Sequence, residues 1–430
     1  AMTNPTSTDV VLTPKVIGLS IAIGVVGSFF GFTFLEIATS GQRILFTELP
    51  EHFGFDQAPW WWITAVLLLG ATVVFLAHKL PGKAGEGPLN GFHFDEPPSK
   101  APGILLAAFG TLLFGFVLGP EAPIIILGTT VGALMVRKQQ PSVVTLAMFL
   151  GGLAAIGTVF GNPFITIFMV LEFVAVGAAP AAILLPGLIA LGAGFLVQTG
   201  LGNVPGLGVH SLSVPGMPEY TSITVWDLVL GVAVAVITAI LVGAFRLLAL
   251  TIATHASRRP TVLIFGSAIV TAALAIFLTE VFGLNPNLLL FSGQTGMPDL
   301  ITQTSLGTVI AIFVAKAFAY SFALGGGFRG GPIFPATFLG VAVGVLAILF
   351  FPETNLSPMT AAGIAAAAAV MLRLPFTSAI LALLLVSAGG AYVAPFAIIG
   401  AIAGYLVRVQ MDQRITQPNS NAPTDGLTPR

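Results

Sequence analysis

The sequence predicts an all-α polytopic membrane protein built from two inverted structural repeats with broken, re-entrant helices. Polarity is the first reason. Of 430 residues, 56% are hydrophobic and only 8% are charged, and the mean hydropathy is +0.99. A soluble domain carries roughly 25% charged residues, so a chain this apolar needs an apolar solvent to cover it. The second reason is where the 50 glycines and 30 prolines fall. They interrupt apolar runs, and broken helices persist in a membrane only where the freed backbone is buried or lines a polar cavity. That points to a pathway through the protein.

An internal repeat is the third reason. Gly119-Pro120-Glu121-Ala122-Pro123 and the segment up to Leu134 match Gly331-Pro332-Ile333-Phe334-Pro335 and the segment up to Leu346, 212 residues on. The same offset pairs Gly128 with Gly340, Gly151 with Gly363, and Pro163 with Pro375. Glycines and prolines holding one offset over some 45 residues exceed what apolar composition gives by chance. Repeats of this kind place a substrate site near the midplane, at equivalent helix starts of the two halves.

Apolar runs lie at about 16–38, 59–78, 102–118, 122–136, 143–160, 163–200, 225–253, 261–283, 306–324, 332–351, 359–372 and 376–407. Several fall short of the ~20 residues that span a bilayer. The predicted organisation is a polar segment 1–15, a first repeat 16–200, a connecting loop 201–222, a second repeat 223–408 and a disordered tail 409–430. The first apolar run is long enough to span, and no cleavable leader precedes it. Trp60-Trp61-Trp62 reads as an interfacial anchor. Lysines and arginines are too scattered along the sequence to fix orientation.

Several functions are excluded. A net charge of −1 leaves no basic stripe for nucleic acid. With no cysteine, disulfides and thiolate metal sites are absent. The five histidines are dispersed, without metal-ligand spacing. The glycine run 325–331 lacks the Gly-Lys-Ser/Thr of a phosphate loop. No nucleophile–base constellation stands out, so no enzyme and no cofactor is expected.

The chemistry sits in the paired segments. Proline suits the first helical turn and glycine allows close approach. Each segment therefore presents a helix N-terminus with free N–H groups and roughly half a unit of positive charge. Two such ends aimed at one point bind an anion without a full charge that would hold it too long. Glu121 lies at the first of them. An intramembrane carboxylate costs about 2.5–3.5 kcal/mol or more and is a functional candidate. Ionised, it occupies the anion's place; protonated, it swings aside. Glu121 is the predicted gate, as against a plain N-terminal cap.

These residues resemble the CLC family of chloride channels and chloride/proton antiporters. Gly119-Pro120-Glu121-Ala122-Pro123 is similar to its G-[KR]-E-G-P motif, whose glutamate is the gate. Gly330-Gly331-Pro332-Ile333-Phe334-Pro335 is similar to its G-G-x-F-x-P motif, with the phenylalanine one place later. Lys316-Ala317-Phe318, Arg373-Leu374-Pro375-Phe376-Thr377, and Phe160-Gly161-Asn162-Pro163 through Leu171-Glu172 extend the likeness over about 60–408. The resemblance is to a divergent prokaryotic branch without CBS domains. It implies a homodimer in the inner membrane, with a pore in each subunit and contacts around 163–200 and 376–408.

The resemblance implies anion contacts at Gly119, Ala122, Pro123, Gly331, Ile333 and Phe334, the last two as N–H donors because Pro332 has none. It also implies contacts at Gly85, Glu86 and Gly87, where the family has G-S-G-I-P. Glu86 then replaces a serine and must be protonated, paired (Lys83 is the local candidate) or turned away. The family's gating tyrosine has no counterpart, Tyr405 lying too early. Family antiporters carry a Glu-Glu pair where this chain has Glu172-Phe173, so the inner proton acceptor is missing. Glu172 and Glu86 remain the proton-pathway candidates.

The expected function is transport of a small inorganic anion, chloride first, with membrane lipid and a second copy as partners and without tight proton coupling. The alternatives are a proton-coupled antiporter, including one for fluoride, or a transporter of organic solutes.

Overall fold

The computed structural model describes residues 12–205, 207 and 212–416, and among these the regular structure is helical apart from one bridging pair. The first repeat holds α1 (Pro14–Arg43), α2 (Trp60–Ala77), α3 (Ala101–Leu112), α4 (Glu121–Met135), α5 (Pro141–Phe160), α6 (Pro163–Ala175) and α7 (Leu184–Gly202). The second holds α8 (Val225–Arg258), α9 (Pro260–Phe282), α10 (Leu306–Gly325), α11 (Ile333–Phe350), α12 (Leu356–Leu372), α13 (Pro375–Leu385) and α14 (Ala394–Thr416). Among the described residues, nine stretches are long and apolar enough to cross a membrane; the longest, Pro14–His52, is α1 continued through a π-helical turn.

Local chemistry explains the starts. Proline occupies the first turn of α1, α5, α6, α9 and α13, where its missing N–H costs nothing. The side chains of Asn162 and Thr224 cap α6 and α8 by accepting from Phe164 N at 2.9 Å and Asp227 N at 3.0 Å.

The 212-residue offset recurs in space. α4 and α11 begin at Glu121 and Ile333, α5 and α12 end at Phe160 and Leu372, and α6 and α13 begin at Pro163 and Pro375. Left-handed residues make the equivalent breaks, Gly161 at φ 59° and Arg373 at φ 57°. Close crossings repeat too. Gly128 meets Gly151 and Gly340 meets Gly363, and a methyl group on any of the four would strike the opposing backbone. The second pair of helices forms the core: every residue of Ile333–Val345 and of Ser357–Val370 is buried. α4 has 15 residues, about 22 Å at 1.5 Å per residue, so it starts inside the protein and not at a membrane surface.

One boundary differs from the sequence reading. The tail read as disordered from 409 is helical to Thr416. Asp412 explains it: the carboxylate reaches Arg408 Nε at 2.8 Å, Arg246 at 3.4 Å and Arg373 at 3.4 Å, pinning the last turns of α14 to α8 and the end of α12. Residues 417–430 and 1–11, the rest of the predicted tail and most of the polar N-terminal segment, lie outside the described residues.

Seven of the basic residues, scattered in sequence, lie toward one end of the helices. α1 and α2 are each long and apolar enough to cross a membrane, and crossing in turn would put Lys15 on the side of Lys79 and Lys83. Val136 belongs to the cluster with Ile23 and Ala190 against which Leu19 and Val143 pack, which brings Arg137 and Lys138 toward the start of α1. The cavity beside Lys79 is also lined by Ser257 and Pro260, the neighbours of Arg258 and Arg259. At the far end of α1, Arg43 is paired with Glu48 at 2.8 Å, near Glu51 and Asp56.

Candidate functional site

The two repeats meet at Gly119 and Gly331. Gly119 N donates to Gly331 O at 2.7 Å and Gly331 N donates to Gly119 O at 2.5 Å. This reciprocal pair holds the starts of α4 and α11 against each other, and it alters the role expected of both glycines. Their N–H groups are taken, so neither donates to an anion. Their contribution is the missing side chain: a Cβ on either would fall onto the Glu121 carboxylate.

Glu121 is fully buried in that gap. Its Oε1 accepts from Phe334 N at 3.1 Å, and the amides of Ile333 and of Glu121 itself also face the carboxylate. Oε2 has no hydrogen-bond partner among the described residues. A carboxylate from the first repeat thus lies on the free N–H groups of the second, where a helix start favours an anion. Behind it, the buried Tyr320 hydroxyl donates to Pro332 O at 2.6 Å and steadies the first turn of α11.

Cavities approach Glu121 from two directions. The one reaching Pro120 is lined by neutral polar groups, among them Thr39, Gln42, Ser292, Gln294 and Thr295. Its wall is fixed by Lys316, buried in α10, whose Nζ donates to the carbonyls of Leu289, Leu290 and Phe291 at 2.6, 3.0 and 3.1 Å. The other reaches Ala122, Pro123 and Gly330 and is charged, with Glu86, His93, Glu96 and Arg329 on its walls.

Glu86 therefore lies in the cavity that the resemblance implied, but its surroundings differ from expectation. Its Oε2 accepts from Asn90 Nδ2 at 3.0 Å and lies 3.2 Å from His93 Nε2, so its partners are these two and not Lys83. Gly87 is followed by a single 3₁₀ turn, Pro88–Asn90, too short to give Gly85-Glu86-Gly87 the dipole of a helix start. The Gly85 carbonyl faces the site, accepting from Arg329 Nη2 at 2.8 Å.

Glu172 is not brought to Glu121. Its Oε1 accepts from Phe376 N at 2.8 Å, and its Oε2 accepts from Thr377 N at 2.8 Å and from Thr377 Oγ1 at 2.5 Å. It caps α13 across the repeat boundary. Its neighbour Phe173 packs edge-on against Phe94 at 5.9 Å, and Phe94 packs on Phe149 at 4.6 Å.

Three residues of the site escaped the sequence reading. Tyr320 had no signal beyond its α-helical context. His93 is one of five dispersed histidines. Arg329 does carry a signal, a lone charge in the apolar glycine-rich stretch 325–331. Nearby, His78 Nε2 lies 2.7 Å from Gly327 O. Burial, partly offset by that bond, holds the imidazole below its usual range, with the Arg329 charge adding to the effect. The neutral ring donates from Nε2 and ties the end of α2 to the loop before α11.

Comparison with known proteins agrees with this architecture. The family model described as "Voltage gated chloride channel" matches residues 83–408. Among similar proteins, "Putative ion-transport protein YfeO" of Salmonella choleraesuis (strain SC-B67) is 29% identical over 340 residues, covering 76% of this chain and 79% of its own. The protein of that name in Escherichia coli (strain SMS-3-5 / SECEC) is 29% identical over 341 residues, covering 76% and 77%. Among solved structures, a slow cyanobacterial Cl−/H+ antiporter superposes with TM-score 0.73 at 16% identity, over 95% of this chain and 100% of that one. A CLC-type fluoride/proton antiporter superposes with TM-score 0.72 at 18% identity, over 92% and 96%. The match over 83–408, on a frame of paired helix starts, identifies an integral membrane protein that belongs to the voltage gated chloride channel (CLC) family of anion transporters.

Proposed function

We propose that the chain carries chloride, or another small inorganic anion, between the neutral cavity at Pro120 and the charged cavity at Ala122, with Glu121 as the gate and without tight proton coupling. The observation that carries this reading is the Glu121 carboxylate on the Phe334 amide, because that carboxylate takes the place an anion would take. Ile333 and Phe334 supply the amides, Ala122 and Pro123 line the mouth on one side, and Gly119 and Gly331 leave the room. Dimerisation fits the apolar side chains exposed on α6, α7, α13 and α14, such as Phe164, Leu196, Phe376 and Ile402. The bacterial relatives favour the inner membrane as its place.

The test is anion efflux from liposomes holding the purified protein, run with chloride and fluoride while pH is recorded. Chloride efflux without stoichiometric proton movement is expected. Absence of efflux for every small anion would overturn the reading. Proton-linked exchange, of fluoride included, is the second reading, favoured because two of the superposing structures are proton antiporters.

A further inference from the structure

We infer that Arg329 is the fixed positive charge that draws anions into the cavity at Ala122 and Pro123, in place of the helix start that Gly85-Glu86-Gly87 does not supply. The inference rests on the transport reading above.

Arg329 stands two residues before Gly331 and is only 9% exposed. Its guanidinium is bound by carbonyl oxygens alone. Nε donates to Ala84 O at 2.7 Å, Nη2 to Gly85 O at 2.8 Å, and Nη1 to Gly327 O at 3.1 Å and Phe328 O at 3.0 Å. Two of these acceptors lie in a turn where Lys83, Ala84 and Gly85 are successively left-handed, at φ 50°, 60° and 68°. Left-handed backbone costs non-glycine residues roughly 1–2 kcal/mol each, and the charge-assisted bonds from Arg329 offset it. The segment that resembles the family's G-S-G-I-P motif is here folded into a niche for a cation.

The charges around Arg329 make it the attractive one. Among the described residues, no carboxylate lies within ion-pair distance of it. Of the two acids of the cavity, Glu86 pairs with Asn90 and His93, while Glu96 pairs with Lys100 at 2.9 Å and acts on Arg329 only from beyond ion-pair distance. Arg329 and Gly87 also line a wider cavity that holds His78, Lys79 and Lys83 and no acid. An anion entering there meets only basic or neutral walls until it passes Arg329 and reaches Gly330 and Ala122.

The bonding also explains how such a charge avoids trapping the ion. Four of its five N–H donors are bound to carbonyls, and the one left on Nη2 cannot grip an anion through two N–H bonds as a free guanidinium does. The field remains. A unit charge ~10 Å away, at an effective dielectric of about 20, raises the local anion concentration roughly tenfold, while weak contact keeps release fast.

The experiment measures the half-saturating chloride concentration for efflux from liposomes at constant ionic strength, with chloride-dependent thermal stabilisation in detergent as a second readout. Arg329→Gln is expected to raise the half-saturating concentration about tenfold, and Arg329→Lys less. Glu86→Gln, which leaves the carbonyl niche intact, is expected to lower it. A mere clamp would lower the stability of both Arg329 variants and leave half-saturation unchanged. An unchanged value in folded Arg329→Gln overturns the inference. If that variant does not fold, unchanged values in both Glu86→Gln and Lys79→Gln/Lys83→Gln overturn it. If the unaltered protein moves no anion, the transport reading has failed separately, and equal chloride stabilisation of the unaltered protein and the variants then removes the role of Arg329.

Discussion

Phe334 N donates to Glu121 Oε1 at 3.1 Å, so the helix start of the second repeat binds the carboxylate of the first. The bond crosses 213 residues of sequence, and it makes each repeat incomplete without the other. Glycine at 119 and 331 leaves the gap, the helix start supplies the N–H groups, and Glu121 fills the place between. On the proposed function, occupancy by the carboxylate and occupancy by an anion exclude each other.

Glu121→Gln follows from that exclusion. The amide is neutral at every pH and binds the Phe334 N–H more weakly than a carboxylate does. Chloride efflux at neutral pH is expected to rise severalfold and to lose its pH dependence. Unchanged rate and unchanged pH response in vesicles would remove the gate.

Gly331→Ala tests the same gap from the other repeat. The added Cβ would meet Glu121 Oε2, its carboxyl carbon and its Cβ. Lower thermal stability is expected in the unaltered background, and a smaller loss in the Glu121→Ala background. Residues in contact typically couple by about 0.5–3 kcal/mol. Four proteins melted side by side give that coupling, and strictly additive losses would contradict the contact.

Much of this was legible in the sequence, and the limit is physical. The repeat was readable because backbone demands are local: only glycine fits where Gly128 crosses Gly151, and only a few residues start a helix as Pro163 and Pro375 do. Ile333 and Phe334 were readable as donors because Pro332 has no N–H. What failed were pairings across the fold. Arg329 bonds to Ala84 from 245 residues away and Glu172 to Phe376 from 204, and nothing local marks either partner. For Glu86, protonation, turning away and pairing with Lys83 all stand open in the sequence, whereas the structure, with a left-handed turn at 83–85, gives the carboxylate to His93 and Asn90.

Glu172 gives a stability prediction. Its carboxylate accepts two backbone amides at the start of α13, so Glu172→Ala leaves buried donors unpaired. A loss of about 1–3 kcal/mol is expected, less for Glu172→Gln, which keeps an acceptor. Chloride flux per folded protein is expected to hold. Equal denaturation midpoints for the three proteins would refute the cap.

The distribution of charge predicts orientation. If α1 and α2 cross in turn, Lys15, Lys79, Lys83, Arg137, Lys138, Arg258 and Arg259 share one side, which by the positive-inside rule is cytoplasmic. The sequence has no cysteine, so single replacements give a clean readout. In intact cells, Glu51→Cys is expected to react with a membrane-impermeant thiol reagent, and Lys83→Cys only after the cells are opened. The reverse pattern would invert the assignment.

The last prediction concerns protons. A coupled exchanger needs a titratable group that passes protons between Glu121 and the cytoplasmic water, and the two positions where the resemblance would put one are otherwise engaged. Phe173 cannot titrate, and its ring packs against Phe94, itself stacked on Phe149. Such an aromatic cluster excludes the water that a proton needs to cross it. Glu172, one residue earlier and about 100° around the helix, has both oxygens committed to α13. Releasing it to carry a proton would strand two amides and add a stability cost to every cycle. An imposed chloride gradient is therefore expected to drive chloride flux without uphill proton movement. Stoichiometric proton movement would overturn this, and the candidate carrier would then be Glu86 with His93, 3.2 Å apart on the wall of the cavity at Ala122. Loss of that movement in Glu86→Gln with chloride flux retained, and its persistence in Glu172→Gln, would assign the route to that pair.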